Sequence, residues 1–334
     1  MILDLVIHTA DSHTEGNPTR VVLSGFGVIP GATILEKRDY VRNNLDDLRR
    51  MILHEPRGGA LNCAVLRLDP CDPRADVAAV IMEQAEYVPM CGHCIIGFAT
   101  TLVELGLVKR QTPTTRIVIE TVAGLVTAMV DTSTGRTGAV TLENVPSFVV
   151  SEGVELTMAD GITVTADISF GGDFYICVPA ADLGLSLSPA SPAEILQRAA
   201  QVRHAARALV VRHPEREDLD KIYMVSFYEE LSRSPVHYRN VIVAPPAAID
   251  RSPCGTGTSA MLARLYRRGI LGVGDAFVNE GILGTTFEGR VARSVDIGEV
   301  AAIIPEITGR AYMTGFHDWV RDPEDPFPAG FLLE

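Results

Sequence analysis

The stretch MCGHCIIGFATTLVELGLV, residues 90–108, sets a Cys-Gly-His-Cys cluster directly before an apolar run at helical spacing. Gly106 is placed to stop that helix, and TTRIVIETVAGLVTAMVD (114–131) then alternates like strands around a glycine. Much later the chain repeats the arrangement. DRSPCGTGTSAMLARLYRRGIL (250–271) carries Cys254 with Gly255 behind it, a helix-period run through Leu265 and a stop at Gly269. GTTFEGRVARSVD (284–296) follows as strands around Gly289. Cys91 precedes Gly124 by 33 positions and Cys254 precedes Gly289 by 35, a weak internal repeat. It predicts two similar α/β halves, each with a Cys-Gly step at the start of a central helix, so that two thiols face one another across a cleft. Two buried cysteines beside convenient helix-start glycines would give the same spacing.

The bulk properties agree with that architecture. A chain of 334 residues is long enough for two cores. With 47% hydrophobic, 21% charged and 6% aromatic residues it has the profile of an ordinary soluble α/β enzyme. A formal charge of −13 repels phosphate backbones and anionic lipid, which argues against nucleic-acid and membrane-surface partners. No run approaches the ~18 apolar residues of a membrane span, and no basic region precedes an apolar one at the N-terminus. The expected location is therefore cytoplasmic, with Cys63, Cys71, Cys91, Cys94, Cys177 and Cys254 reduced.

DTSTGRTGAV (131–140) reads as a polar hairpin turn between the halves. Residues 187–214 read as a loop entering a long helix, with Ile195, Ala199, Val202, Ala206 and Leu209 as its apolar stripe. Arg198, Arg203 and Arg212 lie on its other, solvated face. The expected division is 1–130, completed by 310–334, and 131–309.

A thiol at a helix N-terminus has its pKa lowered by unpaired amides and the positive end of the helix dipole. Cys91 and Cys254 both fit that placement, and the glycine behind each leaves the backbone open to a carboxylate. A carboxylate held by two helix ends with a sulfur on each side leaves an amino-acid α-carbon in between. That suits 1,1-proton transfer, in which one thiolate removes the α-proton and the opposing thiol returns one. Asp250 and His93 could hold the substrate ammonium, although a turn residue and a helix-start partner are equally good readings of them. A zinc clip at Cys91, His93 and Cys94 lacks a second CxxC or HxxxH anywhere in the chain. A thioredoxin-like role rests on the same activated thiol but leaves Cys254 unexplained.

MCGH (90–93) and DRSPCGTGTSA (250–260), with DSHTEGNPTRVV (11–22), HEPRG (54–58), SFGGDFY (169–175) and ITGRAYMTGF (307–316), resemble the proline racemase family over essentially the whole chain. That family contains proline racemases, hydroxyproline 2-epimerases and trans-3-hydroxyproline dehydratases. The resemblance implies the diaminopimelate-epimerase-like α/β fold, two pseudo-symmetric domains each with a sheet around a central helix. With no Gly-rich phosphate loop or second metal-ligand pair beside the thiols, no cofactor or metal is expected, and the resemblance implies a small-molecule substrate and the homodimer usual in the family. Carried over by position, it makes Cys91 and Cys254 the acid/base thiols and sets His93 and Asp250 nearest the substrate nitrogen. The amides of Gly92, His93, Gly255 and Thr256 become the carboxylate cradle, and Phe174 and Tyr175 candidates for packing the ring. The dehydratase branch carries Thr at the place of Cys254, so the resemblance favours inversion over elimination. Cys63 and Ala244 stand where proline racemases carry phenylalanine, which opens the ring wall toward a hydroxylated or larger proline analogue. Cys94 replaces a usual small residue such as Gly.

Overall fold

The computed structural model describes residues 3–245 and 247–332, with the backbone alone at Tyr223. The chain forms two compact units, one running up to Leu142 and resuming at Arg310, the other Glu143–Gly309. The first contains β1 (Leu5–Thr14), β2 (Asn17–Ser24), α1 (Ile34–Asn44), α2 (Asp46–Leu53), β3 (Cys63–Leu68), β4 (Val77–Met82), α3 (Gly92–Glu104), β5 (Thr114–Thr121) and β6 (Gly124–Asp131). After β7 (Val140–Glu143) the second contains β8 (Phe148–Thr157), β9 (Thr163–Phe170), β10 (Phe174–Pro179), α4 (Pro192–Ala205), β11 (Ile222–Arg233) and β12 (Val236–Ala244). It continues through β13 (Ala248–Ile249), α5 (Gly255–Arg267), β14 (Ala276–Glu280), β15 (Thr286–Ile297) and β16 (Val300–Gly309), and β17 (Ala311–Arg321) returns to the first unit.

Strand pairing makes the repeat concrete. In the first unit the sheet runs β17-β1-β2-β3-β4-β5-β6, and its neighbours are antiparallel, antiparallel, parallel, antiparallel, parallel, antiparallel. In the second, β8-β9-β10-β11-β12-β14-β15 follows the same series of senses. There β16 pairs beyond β15, and Ser147 and Ile303 bridge back to the start of the sheet. Each sheet wraps one helix, α3 touching β1, β2, β3, β6 and β17, and α5 touching β8, β9, β15 and β16.

Both helices are buried nearly all round, so the run after Cys91, which reads as amphipathic in the sequence, has no solvated face along most of its length. The buried Arg264 of α5 is tolerated because Asp167 accepts from its Nε (2.9 Å) and Nη2 (2.6 Å) and the Tyr228 hydroxyl takes a further N–H at 2.7 Å. The two helices end alike. The Leu107 N–H reaches the Leu102 carbonyl (2.9 Å) past Gly106 at φ +64°, and the Ile270 N–H reaches Leu265 (2.9 Å) past Gly269 at φ +67°. Each stop is a Schellman turn, whose left-handed residue glycine adopts without strain. In the first unit α1 and α2 cover the outer face, with Met51, Ile52 and Leu53 against Ala64, Leu66, Ala78, Val80 and Met82. Strand alternation puts Cys63, Val65, Ala79 and Ile81 on the opposite face, buried on the side of α3.

The structure departs from the sequence reading in several places. The first unit reaches Leu142 instead of 130, because the 131–140 turn folds back onto its own strand through Asp131 N–H to Ala139 (2.9 Å) and Gly138 N–H to Asp131 (2.7 Å). Gly289 does not correspond to Gly124. The latter closes the β5–β6 turn, whereas Gly289 lies inside β15, where a Cβ would come within 3.0 Å of Leu262 on α5. Leu209 falls beyond the helix, which ends at Ala205 before a short 3-10 turn. Arg203 is half-buried rather than solvated and donates to the Val243 carbonyl (3.3 Å). Among the described residues no helix is long and apolar enough to cross a membrane.

Candidate active site

Cys91 is the N-cap residue of α3 and Cys254 that of α5, and each is only 7% exposed. The first intrahelical bonds run from Ile95 N–H to the Cys91 carbonyl (3.0 Å) and from Thr258 N–H to the Cys254 carbonyl (2.8 Å). The amides of residues 92, 93, 255 and 256 precede those bonds, and helix geometry aims them out of the helix end, where an anion is stabilised. All four residues are buried, so an anion held there is desolvated.

Around Cys91 the partners are an imidazole and sulfur. Its Sγ lies 3.2 Å from His93 Nδ1, while His93 Nε2 is 3.4 Å from Cys94 Sγ and 2.9 Å from Asn17 Nδ2. The Thr14 hydroxyl donates to the His93 carbonyl at 2.8 Å, fixing that turn against the end of β1. Cys63, opposite Thr19 of β2, completes the group, and donor atoms of Cys63, His93 and Cys94 all lie within 4.8 Å of one another. A hydrogen bond from Cys94 holds the Cys91 thiol well below its usual range against the opposing effect of burial, and the His93 charge adds to it. Burial alone would depress His93, but the facing Cys91 sulfur and a bond with Cys63 raise it well above the usual imidazole value. The Cys94 thiol is pushed well up, by burial first and then by its bonds to Cys63 and Cys91. These directions favour charge on the Cys91 sulfur and the His93 ring and a retained proton on Cys94.

Around Cys254 the partners are hydroxyls. Tyr175 Oη is 3.5 Å from Cys254 Sγ and 2.6 Å from Thr256 Oγ1, which is itself 3.7 Å from the sulfur. The Gly257 amide donates to Cys254 Sγ at 3.4 Å. Cys254 stands at φ +63°, a region costly for a residue with a Cβ, and its neighbours hold it there. Its N–H donates to Ser252 Oγ (3.1 Å), and that hydroxyl donates to Asp250 Oδ1 (2.8 Å), which also accepts the Ser252 N–H (2.8 Å). Burial, then the nearby Cys254 charge, raises Tyr175 well above the phenol range, so it stays a protonated donor.

The structure brings Cys91, Gly92, His93 and Cys63 together in one unit, and Tyr175, Cys254, Gly255 and Thr256 together in the other. Asp250 organises the turn that carries Cys254, and half-buried Ala244 closes β12 opposite Ala248 of β13, ahead of that turn. Phe174 does not join the group. Alternation along β10 turns it from Tyr175 into a cluster with Phe170 (ring centroids 4.9 Å apart) and Phe148 (6.4 Å). Sequence reasoning missed Asn17, Ser252 and the adjacency of Cys63 with Cys94. The two cysteines that depart from the family pattern in the first unit are neighbours in space.

A family model described as "Proline racemase" matches residues 9–332. The chain is similar to the proline racemase of Acetoanaerobium sticklandii, 41% identical over 98% of each chain. It is equally similar to the 4-hydroxyproline 2-epimerase of Streptosporangium roseum, 41% identical with 98% of each covered. A crystal structure of a hydroxyproline epimerase from Agrobacterium vitis with bound trans-4-hydroxy-L-proline superposes with a TM-score of 0.93 at 31% identity, covering 100% of this chain and 97% of that one. The architecture is the diaminopimelate-epimerase-like one expected from the motifs.

Proposed function

The chain belongs to the proline racemase family, and from that membership we propose that it inverts the α-carbon of proline or a hydroxyproline by cofactor-independent 1,1-proton transfer. It is an isomerase, and the observation that supports a two-thiol mechanism is the repetition of one device. In both units a cysteine is the N-cap residue of the buried central helix; the Cys254 sulfur takes the Gly257 amide at 3.4 Å, while the Cys91 sulfur makes no such cap bond and faces the His93 imidazole at 3.2 Å. In one direction the Cys91 thiolate accepts the α-proton while the Cys254 thiol gives its proton to the opposite face of the carbon. The enzyme is left with a Cys91 thiol and a Cys254 thiolate, which is the state that runs the reverse reaction. The amides of Gly92, His93, Gly255 and Thr256 hold the carboxylate, whose charge grows as the carbon flattens, so they bind the transition state more tightly than the ground state. Asp250 is assigned to the substrate nitrogen, while His93, raised and facing the Cys91 sulfur, serves that thiol instead of the ammonium the motif assigned to it. The free thiols of all six cysteines suit a reducing cytoplasm.

Elimination of a 3-hydroxyl is the competing chemistry within the family, and Cys254 in place of threonine speaks for inversion. The small Cys63 and Ala244 favour a ring that carries a hydroxyl. A mismatch of this size discriminates by about 10–200-fold. The test is incubation with L-proline, trans-4-hydroxy-L-proline and trans-3-hydroxy-L-proline in heavy water, following optical rotation and mass. Inversion with α-deuterium, faster on a hydroxyproline than on proline, is expected. A pyrroline product would replace racemisation with dehydration, and a clear preference for proline would end the argument from Cys63 and Ala244.

A further inference from the structure

We propose that Cys63, Cys94 and His93, with Cys91 as fourth ligand, form a binding site for a thiophilic divalent metal ion of the zinc and cadmium class. The site lies wholly within the first unit and is assembled from β3 and the first turn of α3. One donor atom from each of Cys63, His93 and Cys94 lies within 4.8 Å of the other two, and all three residues are buried. Bonds of about 2.3 Å to sulfur and 2.0 Å to nitrogen, arranged as a tetrahedron, put donors ~3.5–3.8 Å apart. His93 Nε2 and Cys94 Sγ are already 3.4 Å apart, and Cys91 Sγ is 3.9 Å from the same nitrogen. Cys63, His93 and Cys94 therefore need side-chain adjustments of about an ångström to close on an ion, and Cys91, outside that close triad, has to swing in as the fourth ligand. Its composition, three sulfurs and one imidazole, selects against magnesium and calcium, which take oxygen donors, and for zinc or cadmium. Spacing along the chain conceals the site, because the ligand that completes the Cys-Gly-His-Cys run comes from a different strand.

Metal binding consumes the lone pair of the Cys91 thiolate, so an occupied site has no base for the α-proton. The ion is thus a reversible off-switch and not a cofactor. The loss of activity rests on the racemase reading, whereas the binding does not.

The test uses the full chain, reduced, stripped of metal and kept free of oxygen, titrated with Co²⁺ alone. Thiolate-to-cobalt charge-transfer absorption and tetrahedral d–d bands should saturate at one ion per chain, and Zn²⁺ should displace the cobalt. X-ray absorption of the zinc form should show a shell dominated by sulfur near 2.3 Å. Cys63→Ser and Cys94→Ser should each weaken cobalt binding at least 100-fold, while Cys71→Ser, outside the group, leaves it unchanged. Absence of the charge-transfer band, or an equally strong band in both serine variants, overturns the site. Should those variants fail to fold, an oxygen-dominated shell in the wild-type zinc form overturns it just as well. In turnover, one equivalent of zinc should abolish inversion and chelator restore it; full activity with zinc bound refutes the switch. A chain that binds cobalt as described yet inverts no imino acid would refute the racemase reading and leave the metal site standing.

Discussion

Cys91 and Cys254 cap helices of equal length, 13 residues each, at the same place in the same pairing series, yet they are held by different chemistry. The surroundings of Cys91 are ionic and soft, an imidazole at 3.2 Å with two further thiols nearby. Those of Cys254 are hydroxylic, with Tyr175 and Thr256 at 3.5 and 3.7 Å and a backbone at φ +63°. The backbone device supplies the common function, a sulfur at a desolvated helix end. The side chains around it decide how firmly each proton is held. A pair of thiols that must exchange roles in every turnover is served by unequal surroundings only if both remain able to gain and lose a proton. In the proposed mechanism His93 does this for Cys91 by sharing its charge, and the hydroxyls for Cys254 by donating or accepting.

The largest expected effect ignores that asymmetry. Cys91→Ser and Cys254→Ser should each lower inversion by roughly 10²–10⁴-fold, since each removes one of two acid/base groups and a hydroxyl is far too weak an acid to replace it. Near-normal turnover by either variant, measured by polarimetry, would mean that the two caps are not functionally equivalent.

The next effect isolates the first unit. Because Cys94 and His93 hold the Cys91 thiol well below the ordinary thiol range, its alkylation rate should rise less between pH 7 and 9 than that of an ordinary thiol. Cys94→Ala removes the leading hydrogen bond and His93→Gln the charge, and each should raise the pKa. A thiol restored fully to about 8.5 is only ~3% ionised at pH 7, so labelling there should fall, by at most about 30-fold, and regain a steeper rise with pH. Peptide mass mapping of Cys91 modification measures this; unchanged labelling in both variants would remove the electrostatic distinction between the two caps.

Tyr175→Phe probes the other side. It deletes the hydroxyl shared between Cys254 and Thr256, so turnover should drop about 3–10-fold, the worth of one hydrogen bond of 0.5–1.5 kcal/mol, while Cys91 labelling keeps its pH profile. A change in that profile would show the two environments to be coupled.

The smallest effect concerns the backbone. Cys91 is extended at φ −145°, whereas Cys254 pays for its positive φ. Glycine relieves strain only at the second, so Cys254→Gly should be less destabilising than Cys91→Gly by about 1–3 kcal/mol. Urea midpoints at matched slopes compare the two, and equal losses would show that Cys254 is unstrained.

Much of this molecule was readable in one dimension because its decisive features are local. A helix N-cap and a Schellman glycine are fixed by contacts within a few positions, so both central helices, their cysteine caps and their stops at Gly106 and Gly269 could be placed from sequence. The repetition of that pattern determined the two-half architecture, and the motifs determined the family. What only the tertiary structure decided depends on strands meeting across long stretches of chain. The pairing series put Cys63 on the α3 face beside Cys94, and alternation on β10 chose Tyr175 over Phe174. Return bonds from Gly138 and Ala139 kept the 131–140 turn in the first unit. Register and facing are set by which surfaces the sheet buries, a property no single segment carries, and so Cys63 and Tyr175 join the local partners of the two thiols only once the sheets have closed around their helices.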